Sequence, residues 1–346
     1  MRRRTFLAQP LLALRHHPLQ RAEKLLAAAT SSKAVTLASF ALRHRRRTIA
    51  STFGDFPHKG DLPFLIASIT KPMTAAAVMV LADRNELSLN DPVRKFIPEF
   101  TSGSRDLVLI RHLLTHTSGL PDMLPENDQL RAAHAPLEEF VARTVKTPLL
   151  FEPGTKCQYQ SMGILLAAEI AQRITQMPFR DFLAQAVFQP LQMTHTSLGL
   201  GGRSISQTAP CQVTANPGWN WNSPYWRNLG APWGGAHATA GDILKFLDYF
   251  LHPDNRVLKP ATAASMIVNQ NHSLNQPWGI GFSVKKNANA SHTSARAFGH
   301  SGSTGTLCWA DPATDTSFVL LTTKPAAESE SSLLHPVSNL ISEAVL

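Results

Sequence analysis

Apolar and polar positions alternate over Val35 to Leu42 and again over Thr48 to Phe53, with Arg43-His44-Arg45-Arg46-Arg47 between them. Two alternating runs around a charged tip predict a β-hairpin with a solvated turn. Ahead of it, the spacing from about Gln20 to Ala29 is helical. The segment Ser68 to Leu87 is apolar nearly all round, through Ala75, Ala76, Ala77, Val78, Met79, Val80 and Leu81. A helix greasy on every face is buried, so this one is expected at the centre of the protein. Pro72 is best accommodated close to a helix start, which places the opening turn around Ser68.

Helical patterns recur at Arg111 to Thr115, Leu137 to Val145, Met162 to Ile174 and Asp242 to Leu251. After about residue 276 the texture changes. Trp278 to Lys285, Thr304 to Ala310 and Ser317 to Thr323 read as strands, and Ser331 to Leu346 as a terminal helix. Strands at both ends with helices between predict an α/β plus all-α architecture: an antiparallel sheet built from both chain ends, flanked by helices, with a large helical insertion. Residues 1–19 are expected to be a tail or a degenerate signal and 20–346 one domain. Its sheet region would be 20–64 and 265–346, and its helical region 65–264.

Composition narrows the picture. With 43% hydrophobic and 16% charged residues, the 346-residue chain is an ordinary globular one and wholesale disorder is excluded. No apolar run approaches the roughly 18 residues of a spanning helix. Cys157, Cys211 and Cys308 are odd in number and widely scattered, which predicts three buried thiols and neither a disulfide framework nor structural zinc. The net charge of +9 raises nucleic acid as a partner, but the excess sits in Arg2-Arg3-Arg4 and at the hairpin tip, without interleaved aromatics, so none is expected. Arg3-Arg4-Thr5-Phe6-Leu7 looks like a weak twin-arginine export signal, and leaves cytoplasmic and periplasmic locations open.

The chemistry centres on Ser68-Ile69-Thr70-Lys71. Residues three apart share a helix face, so the lysine amine can lie beside the serine hydroxyl. Serine needs a base to become a nucleophile, and a lysine desolvated at the end of a greasy helix has its pKa lowered enough to serve. The backbone N–H of Ser68, at a helix N-terminus, would supply half of an oxyanion hole. A second Ser-x-x-Lys, Ser283-Val284-Lys285-Lys286, sits at a predicted strand end, the wrong context for a nucleophile.

Further segments accompany the first copy: Arg111-His112-Leu113-Leu114-Thr115-His116-Thr117-Ser118-Gly119, Phe151-Glu152-Pro153-Gly154 with Tyr159-Gln160-Ser161, Gly234-Gly235 ahead of Ala240-Gly241-Asp242, and Gly299-His300-Ser301-Gly302-Ser303-Thr304-Gly305. In that order and spacing they resemble the serine β-lactamase-like hydrolases, which include class C β-lactamases, D-alanyl-D-alanine peptidases and related esterases. The resemblance implies a β-lactamase/transpeptidase-like fold from roughly Gln20 onward. It implies Ser68 as acylated nucleophile and Lys71 as its base, with Tyr159 relaying a proton to the leaving group. It assigns His300, Ser301 and Gly302 to the cationic, hydroxyl and close-approach positions of the cleft strand, and the N–H of Ser303 to the oxyanion hole. No metal or cofactor is implied.

Two positions depart from the family pattern. Ser161, a substrate-binding position in this reading with a single hydroxyl donor, stands where the tyrosine motif usually ends in asparagine, and His300 where the third motif usually opens with lysine. Both point away from β-lactamase activity and toward hydrolysis of small esters. A D-amino-acid peptidase or weak β-lactamase is the alternative, and a penicillin-binding sensor that is acylated without turnover is the alternative of another class. If His300 is protonated, affinity for acidic substrates is expected to fall as pH rises through the histidine range. His116 reads as a residue that fixes its loop. The cluster Trp219, Trp221, Tyr225, Trp226 and Trp233 reads first as loop packing and second as a lining of the cleft mouth.

Overall fold

The computed structural model describes residues 15–55, 62–214, 216, 218–284 and 290–346. The twin-arginine-like segment and Lys285-Lys286 of the second Ser-x-x-Lys lie outside them. The first helix, α1 (His16–Ser31), opens with Pro18 in its first turn and buries Leu19, Ala22 and Leu26. It therefore starts inside the expected tail, whose last residue, Leu19, already belongs to a core.

The alternating runs form β1 (Leu37–His44) and β2 (Arg47–Gly54), paired antiparallel with His44 opposite Arg47. Arg45 and Arg46 make a two-residue turn, and Arg45 carries the positive φ (54°) that such tight hairpins require. Arg46 and Arg47 are exposed, as expected of a solvated tip. Arg43 departs from that expectation. It points inward to Asp248 (Nε to Oδ2, 2.5 Å) and Asp315 (Nη2 to Oδ1, 3.2 Å).

Three short strands, β3 (Phe64–Leu65), β4 (Ser197–Leu198) and β5 (Ala236–Ala238), form a small sheet in the order β3-β5-β4. β4 and β5 lie in the part read as helical and β3 at its boundary, and two- and three-residue strands leave too little alternation to detect. The C-terminal part supplies β6 (Phe298–Gly302), β7 (Thr306–Asp311) and β8 (Thr316–Thr322). The main sheet runs β2-β1-β8-β7-β6, antiparallel throughout, so both ends of the chain do build it. Within the described residues, the strand expected from Trp278 reduces to a single bridge between Ser283 and Gly299. There Gly279 N–H bonds the Phe282 carbonyl at 2.9 Å and Gly281 has φ +78°, a turn that breaks the run.

The sheet is covered on both faces, and period-two alternation sorts its side chains between two cores. Ala38, Phe40, Leu42, Leu307, Trp309, Phe318 and Leu320 face a core closed by α1 and the terminal helix His335–Ala344. Leu37, Ala41, Cys308, Ala310, Val319 and Leu321 face the larger core shared with the helices. At the centre of that core lies α2 (Thr70–Asp83), buried at every position from Thr70 to Leu81. Its all-round apolarity is thus satisfied by packing on every side. The three cysteines are buried and unbridged. No helix among the described residues is long and apolar enough to cross a membrane.

Candidate active site

The end of the main sheet, the small sheet and α2 meet at one segment, residues 64–71. A 3-10 turn, Ala67–Ile69, leads into α2. Ala67 holds φ +45°, a left-handed conformation that costs an L-residue energy and that sharply turns the chain just before Ser68. The turn is tied down on all sides. Ile66 N–H bonds the Ala236 carbonyl (3.0 Å), and Thr70 Oγ1 donates to the Ala67 carbonyl (2.7 Å). From the main sheet, Thr304 Oγ1 reaches the Leu65 carbonyl (2.6 Å) and Thr306 Oγ1 the Ile66 carbonyl (3.0 Å). Gly302 lets β6 come this close: a Cβ there would stand 2.4 Å from the Ile66 carbonyl oxygen and 3.1 Å from Ala67 Cβ.

In this frame Ser68 is partly exposed while Ala67, Ile69, Thr70 and Lys71 are buried. Lys71 Nζ lies 3.1 Å from Ser68 Oγ and 2.8 Å from the Trp233 carbonyl oxygen. Burial lowers its pKa to about 7, against the opposing pull of the Asp122 carboxylate. A free amine is therefore available beside the hydroxyl near neutral pH. The Tyr159 phenol lies beside the Ser68 hydroxyl, which opposes the effect of burial on it, and its ring lies 4.7 Å from Lys71 Nζ. Burial pushes the Tyr159 pKa well above its ordinary value, so the group is a phenol and not a phenolate at neutral pH.

Tyr159 is held by residues far away in sequence. Gln158 N–H bonds the His116 carbonyl (2.9 Å), and Gln160 N–H bonds His116 Nδ1 (3.2 Å). Gln160 also accepts from Ser118 Oγ at 2.6 Å. His116, at φ +60°, packs its ring at a tilt 4.7 Å from that of Tyr159, and Trp278 packs 4.6 Å from His116 and 5.8 Å from Tyr159. His116 thus fixes its loop as expected and, in addition, seats the tyrosine. Trp278 had no signal of its own: a single aromatic in a glycine-containing run announces nothing.

His300, on β6, is buried, with its ring 6.0 Å from Tyr159 and 5.8 Å from Trp278. Its Nδ1 lies 2.7 Å from the Ser301 carbonyl oxygen, which makes Nδ1 the protonated nitrogen. Burial, reinforced by the neighbouring Lys71 charge, lowers its pKa to about 3. His300 is therefore neutral in the physiological range and does not fill the cationic position expected of it. The expected pH effect is corrected with it: between pH 5.5 and 7.5, roughly one unit either side of an ordinary histidine, His300→Gln should leave the pH dependence of the acidic-to-neutral KM ratio unchanged. A pH dependence of that ratio that disappears in His300→Gln would show an imidazolium at work. Ser301 and Ser303 are exposed where β6 ends, beside the turn that carries Ser68.

Ser161 is buried and does not offer its proton to the cleft. It donates to Asp122 Oδ1 at 2.6 Å, so the substrate contact expected of its hydroxyl donor is already taken. Asp122 lies three residues beyond Gly119, and nothing in its spacing marks it. The tryptophans pack, as the first reading had it, but in a row that starts at the site. The carbonyl of Trp233 holds Lys71; its ring meets Trp226 at 6.5 Å, which meets Trp219 at 5.3 Å. Among the described residues no group of His, Cys, Asp and Glu is gathered to hold a metal.

A buried amine, a partly exposed hydroxyl and a phenol beside it, at the end of a central helix, can together draw the proton from the hydroxyl. The family model of the beta-lactamases matches residues 22–337, and the chain belongs to that family. Esterase EstB of Burkholderia gladioli is 36% identical over 167 residues, a match covering 44% of this chain and 42% of EstB. The chain thus spans less than half the length of that relative. Two solved structures share the fold over nearly their whole length. EstCE1, a hydrolase with promiscuous acyltransferase activity, superposes with a TM-score of 0.78 at 20% identity, covering 95% of this chain and 98% of its own. The D-amino acid amidase of Ochrobactrum anthropi superposes with 0.73 at 22% identity, covering 94% and 98%.

Proposed function

We propose that this protein is a serine hydrolase that cleaves small esters through a Ser68 acyl-enzyme. The observation that carries the reading is the 3.1 Å approach of Lys71 Nζ to Ser68 Oγ, in a setting where burial brings the lysine pKa to about 7. In its amine form Lys71 takes the Ser68 proton as Oγ bonds to the substrate carbonyl carbon. The oxyanion that forms is met by the backbone N–H groups of Ser68 and Ser303. The ammonium then returns its proton, with Tyr159 as relay, to the departing alkoxide, and the ester C–O bond breaks. Water attacks the acyl-enzyme by the same route in reverse, gives up a proton to the Lys71 amine, and releases the acid with Ser68 restored.

Esters are favoured over amides for two reasons. The position of the family asparagine is held by Ser161, whose one proton is committed to Asp122. An alkoxide or phenoxide also leaves more readily than an amide nitrogen, so the loss of a substrate hydrogen bond, about 0.5–1.5 kcal/mol, is better tolerated. The sequence relationship to EstB, an esterase by name, supports the same choice.

A serine-directed fluorophosphonate should add one label, and peptide mapping should place it on Ser68. Short-chain aryl esters should turn over repeatedly and cephalosporins weakly or not at all. A single burst followed by arrest would identify an acylated sensor in place of an enzyme. Labelling at Ser283 or Ser301, or faster turnover of β-lactams than of esters, would overturn the proposal.

A further inference from the structure

The charge balance of this cleft is set by one group outside the recognised motifs. Burial keeps His116 and His300 neutral and brings the Lys71 pKa down to about 7. Arg131 remains a cation, its pKa lowered by burial only to about 10. Its guanidinium, however, lies 4.5 Å from the Trp219 ring and 4.4 Å from the Trp226 ring, and an Nη contacts Met123 Sδ at 3.4 Å. It is spent on aromatic faces and makes no forked pair with a carboxylate among the described residues.

That leaves Asp122. Its Oδ1 accepts the Ser161 hydroxyl at 2.6 Å, which anchors the carboxylate two residues from Tyr159. Its charge acts on Lys71, on Tyr159 and on Arg131, so it borders both the reacting groups and the tryptophan row. The residue is partly exposed. Its second oxygen has no hydrogen-bond partner among the described residues and is not enclosed. No lysine or arginine there pairs with it. A fixed carboxylate with one oxygen anchored and the other open is a receptor for a cation, and it repels a like charge.

Resting on the reading of Ser68 as nucleophile, we propose that Asp122 is the specificity-determining residue of this site, and that it selects esters bearing an ammonium group close to the scissile carbonyl over neutral esters, and neutral esters over those bearing a carboxylate. The neutrality of His300 strengthens this selection, because no imidazolium is present to receive a substrate carboxylate.

The test compares three phenyl esters of similar size, with spontaneous hydrolysis subtracted: the β-alaninate (cationic), the butyrate (neutral) and the malonate monoester (anionic). Wild-type kcat/KM should fall in that order. Asp122→Asn removes the charge and keeps an oxygen that accepts from Ser161. It should lower the β-alaninate-to-butyrate ratio and raise the malonate-to-butyrate ratio, each on the order of tenfold, as one unit charge at short range through a partly wet cleft allows. The acid limb of the butyrate profile should also move to lower pH, because the carboxylate that holds the Lys71 proton is gone. A second measurement needs no variant: raising salt to about 1 M should erode the wild-type preference for the cationic ester. Ratios that are equal in wild type and variant and indifferent to salt would overturn the role of Asp122 while leaving the esterase reading intact. Failure of wild type to hydrolyse any of the three esters would instead remove the reading on which it rests.

Discussion

Replacing Lys71 with alanine is expected to slow acylation of Ser68 by on the order of 10²–10⁴, the usual cost of removing a general base. The side chain is 1% exposed, and its nitrogen serves two partners: Ser68 Oγ at 3.1 Å and the Trp233 carbonyl at 2.8 Å. Truncation removes the base and also a link between α2 and the tryptophan row, so folding should be checked by circular dichroism alongside the rate. In the intact protein the sign of the pH dependence follows from the same group. The reactive form is the amine, and burial has lowered the pKa to about 7. Ester kcat/KM should therefore rise with pH through about 7 and level off above it. Stopped-flow measurement of p-nitrophenol release in the variant at near wild-type rates, or a flat wild-type profile across neutrality, would return Lys71 to a structural role.

The second large effect is expected at Gly302, which has no functional group at all. A methyl group there would be built 2.2 Å from Thr306 Oγ1 and 2.4 Å from the Ile66 carbonyl oxygen. Neither neighbour can move freely, since Thr306 Oγ1 is itself bonded to that carbonyl at 3.0 Å. Gly302→Ala should therefore push β6 away from the turn at residues 66–68. Overpacking of this kind costs about 1–3 kcal/mol of stability. The larger consequence is geometric: a shift of about 1 Å between Ser303 and Ser68 would separate the two N–H groups proposed to hold the oxyanion and can lower the acylation rate about 10²-fold. Denaturant titration and single-turnover ester hydrolysis on the same preparation measure the two effects. Unchanged acylation in the Gly302→Ala variant would show that β6 does not set the oxyanion geometry.

These two predictions mark the division between what was legible in the chain and what was not. Local periodicity carried the hairpin, the buried central helix and the last two strands, because each is a regular repeat that places apolar groups on a definite face. The spacing of Ser68 and Lys71 was legible for the same reason: three residues along a helical turn is a statement about geometry. Periodicity did not show the strand β6, which was expected only through the family resemblance, since Phe298-Gly299-His300-Ser301-Gly302 has no alternation and is a strand through its pairing with β7. The failed strand at Trp278 is the converse, an apolar run whose glycines turn it back on itself.

At the site, the sequence by itself determined which groups are present and that a serine hydroxyl and a lysine amine could meet. Whether those groups are charged, and which partners they keep, was decided by tertiary structure. Histidine at position 300 could have been a cation; enclosure between β6, Tyr159 and Trp278 makes it neutral, because burial removes the water that would stabilise the charge. Ser161 could have faced a substrate; the fold brings Asp122, 39 positions earlier, to within 2.6 Å of its hydroxyl. His116 and Trp278 reach Tyr159 across 43 and 119 positions of chain. Desolvation and long-range contact belong to the assembled molecule: they depend on what surrounds a side chain in three dimensions, and local spacing records only what surrounds it along the chain.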